Sequence, residues 1–214
     1  MTYLELINAV LRKLREDTVS TVSESDYSTL IGDFVNDAKR VVEDAWDWRS
    51  LKKDISVSQL SGVSTATLTD LNNRGKFLYV QNQSTLQEVN YMPLKQMDFL
   101  YLQQPDLQGA IQNYTISSIS SGSPVVKFFP TPNATTNLVF SVIDRTDDLA
   151  TDADELLVPA SPVINWAYSF ALRERGETGG QSAAEQALFA QQDLSNAIAL
   201  DAGLNAEDTL WVSV

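Results

Sequence analysis

The chain has 214 residues, of which 43% are apolar and 20% charged, enough for one or two domains with a real core. Lys and Arg number 15 against 28 Asp and Glu, a net charge of -13, which argues against a grip on DNA or RNA through clustered cations. Cysteine and histidine are both missing. That removes disulfides, thiolate metal sites and Cys nucleophiles, together with the commonest general base and transition-metal ligand.

The first element is a helix over about residues 2–16. Thr2 and Glu5 have the capping-box spacing, Leu4, Ile7, Leu11 and Leu14 share a face, and Arg12, Lys13 and Arg15 sit where the macrodipole favours cations. A polar loop from Asp17 to Ser25 follows. The second helix is expected over about 26–49, with Ile31, Phe34, Val35, Ala38, Val41, Val42 and Ala45 at helical spacing. Gly32 reads as a blemish in it, worth ~1 kcal/mol against alanine. Trp46 and Trp48 at its end read as structural anchors to the core, with ligand stacking as the alternative.

From Lys52 to about Asp147 the period changes to two. Short alternating runs separated by turn signals predict a meander or small sandwich. One helical piece, Pro93 to Gln104, interrupts them. Phe128 and Phe129 read as anchors on opposite sides of a sheet, and Pro130 and Pro132 as stops for the strand before them. Helices return near Pro159, with Ser161 as a candidate cap and Val163, Ile164, Ala167, Phe170 and Ala171 on one face. A last helix over 181–202 carries Ala184, Ala187, Leu188, Leu194 and Ile198 as its stripe. The tail ends in Leu210, Trp211, Val212, Ser213 and Val214. Four apolar residues there are costly to expose, so the tail either folds back onto the helices or docks on another chain.

The expected fold is α+β. A helical bundle is built from the N- and C-terminal helices, and an antiparallel β-domain is inserted between them. The boundaries fall at 1–51 for the first helix pair, 52–148 for the β-domain with its short helix, 149–203 for the closing helices and 204–214 for an extended tail.

Few constellations point to chemistry. Asp144, Asp147, Asp148, Asp152, Asp154 and Glu155 form an acidic run, but it lacks the glycine and spaced Glu of a calcium loop. It reads as a solvated connection rather than a metal site, and nothing selects a carboxylate pair for glycoside hydrolysis. No Walker loop, dinucleotide fingerprint or nucleophile elbow occurs. No apolar run approaches the ~18 residues of a membrane span, and no secretory signal opens the chain. The expectation is therefore a binding or structural protein with no catalytic residues, no metal and no cofactor. Charge is uneven: residues 1–141 carry 15 acids and 12 bases, residues 142–214 carry 13 and 3. That asymmetry suits a solvated acidic surface, one that sheds polyanions, or one that meets a basic partner.

The order of elements resembles the head-to-tail adaptors of tailed bacteriophages, above all the tail tubular protein A group of short-tailed phages. The residues that carry the likeness are Tyr3-Leu4-Glu5-Leu6-Ile7, Phe34-Val35-Asn36-Asp37-Ala38-Lys39-Arg40, Trp46-Asp47-Trp48, Phe128-Phe129-Pro130-Thr131-Pro132 and Leu157-Val158-Pro159. The resemblance implies a non-enzymatic virion protein at the head–tail interface, made in the host cytoplasm. It implies a ring, usually dodecameric, whose bundle faces the portal protein and whose β-region meets the tail nozzle or fibres. It also implies that the C-terminal segment reaches the portal and that the genome passes through the ring without specific binding. A stopper or tail-completion neck protein is the near rival. A carbohydrate- or ligand-binding module and a metal-assisted hydrolase are the rivals of other classes.

Overall fold

Two compact units share the chain, one formed by residues 1–50 and 148–214 and the other by residues 51–147. The computed structural model describes residues 1–176 and 183–204. The class is α+β: the described residues form five α-helices and, in the second unit, a large, mostly antiparallel sheet.

In the first unit, α1 spans Tyr3–Lys13, α2 Asp26–Ala45, α4 Ala160–Arg175 and α5 Ala183–Gly203. α1 lies against α2 and α4, and α4 packs on both α2 and α5. The cap of α1 is the expected one: Thr2 N donates to Glu5 Oε2 at 2.9 Å, and Glu5 N donates to Thr2 Oγ1 at 3.3 Å. The buried face is broader than expected: it keeps Ile7, Leu11 and Leu14, loses Leu4 and gains Tyr3, Leu6 and Val10. Tyr3, Leu6, Ile7, Val10 and Leu11 are buried while Leu4 is only half-buried, because α1 is covered from two sides.

α2 stops four residues before its expected end. Trp46 turns extended, and Trp48 folds back so that its Nε1 donates to Val42 O at 2.7 Å. That carbonyl sits in the last turn and has no partner inside the helix, so the indole satisfies it. Gly32 is no blemish. A Cβ there would land inside the contact distance of the Tyr3 hydroxyl and 3.2 Å from its Cζ. Gly32→Ala gains helix propensity but must push a buried ring, so we expect a net loss of roughly 1–2 kcal/mol in urea unfolding. A variant at least as stable as the parent would show that the ring yields freely.

The start of α4 also departs from expectation. Its cap position is Pro159 with no side-chain bond, and Ser161 instead donates through Oγ to Asp193 of α5. On α5 the buried positions are Gln186, Ala190 and Leu194, whereas Ala184 and Leu188 are exposed. The reason is that α5 has α4 along only part of its circumference.

The second unit holds β1 (Lys52–Gln59), β2 (Thr65–Thr67), β3 (Lys76–Asn82), β4 (Gln87–Tyr91), α3 (Leu94–Gln103), β5 (Gln108–Gly109), β6 (Asn113–Ser120), β7 (Ser123–Phe129), β8 (Thr131–Pro132) and β9 (Thr136–Ile143). Seven strands form one sheet in the order β1-β9-β3-β4-β6-β7-β2, so neither a meander nor a sandwich results. β4 and β6 are parallel, which the expectation of an antiparallel domain did not foresee. α3 explains it, since a parallel pair needs a crossover connection and a helix is the usual one. β6 and β7 are joined by Ser121 and Gly122, with φ of 50° and 82°, the double left-handed turn that matches strand twist. Pro130 ends β7 as expected, since pairing stops at Phe129, whereas Pro132 does not end pairing: it lies in β8, which pairs with β5.

The edge strands β1 and β2 are tied at one end, where Gln59 Nε2 donates to Thr65 O at 3.3 Å. The sheet thereby curls into a nearly closed barrel. Ile55, Val80, Val89, Tyr114, Val126, Phe128, Leu138, Phe140 and Val142 fill its interior from alternate positions, closed by Leu68, Leu71 and Ile111.

Candidate docking surfaces and structural anchors

Both indoles named from the sequence bond within the helical unit. Trp48 is 1% exposed. Trp46 is half-buried and donates from Nε1 to Asp201 Oδ2 of α5 at 2.9 Å. In the barrel, Phe128 points into the core beside Phe140, with ring centroids 6.3 Å apart. Phe129 points the other way and meets Tyr101 of α3 edge-on at 5.2 Å. Tyr101 also donates to Phe128 O, and Lys127 bonds Asp98 at 2.9 Å, so α3 is clamped onto β7. Leu210, Trp211, Val212 and Val214 lie outside the described residues.

The acidic run is dispersed among separate duties. Asp144 pairs with Lys53 at 3.4 Å, and Asp148 takes Arg40 Nε at 3.0 Å. Asp152 accepts from Val22 N at 2.9 Å. Asp154 accepts from Thr151 Oγ1 and from the amides of Thr151 and Ala150, and these bonds hold its carboxyl below the usual range. Among the described residues no three acidic side chains converge as a metal would need.

A polar knot links α1, α2 and the segment before α4. Asn36 Nδ2 donates to the Tyr3 hydroxyl at 3.2 Å and to Leu149 O at 3.0 Å, while its Oδ1 accepts from Leu149 N at 2.9 Å. Burial pushes the Tyr3 phenol up to about 12, and the nearby Asp33 and Asp148 carboxylates add to it. The unfolded chain releases this proton near pH 10 and the folded chain only near 12. Stability is therefore whole below pH 10 and declines between 10 and 12. Tyr3→Phe should blunt that alkaline decline in a pH series of urea midpoints. An identical slope in both proteins would remove Tyr3 from it.

Two helices present apolar side chains to solvent. On α3, Leu94, Phe99 and Leu102 are exposed, Leu102 to 82%, and they flank an open groove with Met92, Lys95 and Leu100. Sequence reasoning placed this helix but read no docking surface in it. The signal was present: Leu94, Met97, Phe99, Leu100 and Leu102 point around the whole helix, so a single covered face had to leave some of them wet, and only Met97 is buried. On α5, Leu188, Phe189 and Leu200 are exposed, and so is Leu204 just past its end.

Charge divides by unit. The helical unit has 8 Lys and Arg against 21 Asp and Glu, and the barrel unit has 7 of each. The whole net charge of -13 thus belongs to the helical unit.

No curated protein matches the chain. Residues 1–209, nearly its full length, match the family model described as SU10 adaptor protein. The chain therefore belongs to the SU10 adaptor protein family, structural phage proteins of the head–tail junction.

Proposed function

We propose that the protein is a ring-forming head-to-tail adaptor, most simply a dodecamer, between portal protein and tail nozzle. The observation that carries this reading is the pair of apolar helix surfaces on α3 and α5, which an isolated chain leaves in water and an assembly covers. Different surfaces meeting head to tail generate a ring when the rotation between neighbours closes. In this reading α1, α2, α4 and α5 act as a bundle that holds the ring and faces the portal. The barrel unit meets the nozzle and the tail fibres. The genome passes through the channel without specific binding, because a helical unit with 21 acids repels phosphates. Residues 204–214 form an arm, with Leu210, Trp211, Val212 and Val214 as its docking side chains on the portal.

Mixing the chain with its portal and imaging by electron microscopy should show a twelve-fold collar at the portal's narrow end. A chain that stays monomeric beside the portal overturns the reading. A collar found only on completed tails, away from the portal, favours the stopper or tail-completion role.

A further inference from the structure

A groove in the helical unit runs between the second half of α1 and the start of α4. Met1, Ala9, Ala160 and Ile164 line it, and Arg12 and Lys13 stand at its edge. Two observations single it out.

The first is charge. Cations are scarce in this unit, and several are committed: Lys39 to Glu43, Arg40 to Asp148, Arg175 to Glu16. Arg12 has no carboxylate partner among the described residues. Lys13 bonds the amide oxygen of Asn165, lies 5.7 Å from the Tyr168 ring and has the Asp193 carboxylate in its neighbourhood, already bonded by Ser161 and Asn165. An apolar floor with a cationic edge suits a segment that carries carboxylates next to apolar side chains.

The second is reach. Ser161 and Asn165 both donate to Asp193, so α5 passes beside this end of α4. Eleven residues separate Asp193 from Leu204, about 16 Å of helix. The ten residues 205–214 span up to about 33 Å when extended, enough to turn back over that distance. They read Glu207-Asp208, then Leu210-Trp211-Val212. A segment tethered this closely acts at an effective concentration near the millimolar range, so the chain's own groove outcompetes a neighbour's. DNA is the poorer occupant, since it has no use for the apolar floor and meets a unit with 21 acids.

We infer that before assembly residues 205–214 fold back into the α1–α4 groove of their own chain. Glu207 and Asp208 lie at Arg12 and Lys13, and Leu210 and Trp211 lie on the apolar floor. The groove is thus the resting seat of the arm, which a partner must draw out. This goes beyond the ring reading and concerns the free chain alone.

The chain has no cysteine, so a pair can be introduced cleanly. In the full chain, Ala9→Cys with Leu210→Cys should form an intrachain disulfide under mild oxidation, at a yield independent of protein concentration. Peptide mass spectrometry would identify the linked pair. If Ala9→Cys disturbs folding by circular dichroism, Met1→Cys with Leu210→Cys replaces it. Adding Arg12→Glu should slow the cross-link about fivefold, and Glu207→Arg on that background should restore it. No cross-link, or one between chains that grows with concentration, overturns the inference. So does indifference to Arg12→Glu, or loss of the cross-link on adding a short duplex DNA. The portal is absent from this experiment, so its failure leaves the ring reading standing, and the converse holds.

Discussion

Replacing Glu43 by alanine is expected to destabilise the helical unit by about 3–5 kcal/mol. Lys39 and Glu43 sit one turn apart on α2, with Nζ and Oε1 3.1 Å apart and both side chains essentially inaccessible to water. Each ion lost its hydration on folding, and the other compensates it. Removing the carboxylate takes from a buried ammonium the charged group 3.1 Å away, which is far worse than removing an exposed pair. At ~2–4 °C per kcal/mol for a chain of this size, the melting temperature should fall by roughly 6–20 °C. The double variant Lys39→Met with Glu43→Leu is the informative control. It removes both desolvation costs and should return to the parent's stability or exceed it. A Glu43→Ala protein within 1 kcal/mol of the parent would mean that water reaches the pair.

Phe140→Ala should produce a loss of similar size in the barrel unit, about 3–5 kcal/mol. Phe140 lies on β9, which is hydrogen-bonded to β1 on one side and β3 on the other. Its ring meets Phe77 edge-on at 6.0 Å and Phe128 at 6.3 Å. Truncation would leave a cavity in the middle of an interior where Val126, Leu138 and Val142 are already packed and cannot close the gap. Hydrogen exchange should then accelerate along β1, β3 and β9. Leu102→Ala on α3 is the matched control: it removes an 82% exposed side chain and should change stability by less than about 0.5 kcal/mol. Equal losses in the two variants would contradict the assignment of the core to the barrel interior.

Local rules made much of the fold legible. The capping box at Thr2 and Glu5, the stripe of α2 through Ile31, Val35, Ala38 and Val42, and the switch to alternation after Lys52 follow from periodicity and cap chemistry and are found, while Val41 and Ala45 of that stripe are exposed. What failed depended on partners distant in sequence. Gly32 looks unfavourable until Tyr3 is placed against it. Leu188 fits a helical stripe, yet the covered side of α5 is set by where α4 lies. The strand order is non-local as well: β1 finds β9 some eighty residues on, and no alternation pattern encodes that pairing. The candidate surfaces were legible only in composition. The apolar residues of α3 were visible, but their exposure is a property of the packed unit.

The confinement of net charge to one unit has a kinetic consequence. A body whose charge is centred on one of its parts experiences a torque in an external field as well as a force. A partner of positive potential would therefore pull on the helical unit and a polyanion would repel it, while the neutral barrel unit feels little net force from either. The unit that meets such a partner is then partly selected during diffusion, before any apolar surface is within reach. Such guidance extends about one Debye length, near 10 Å at 0.1 M salt, so raising the ionic strength would slow productive encounters while leaving the tightness of the finished contact largely unaltered.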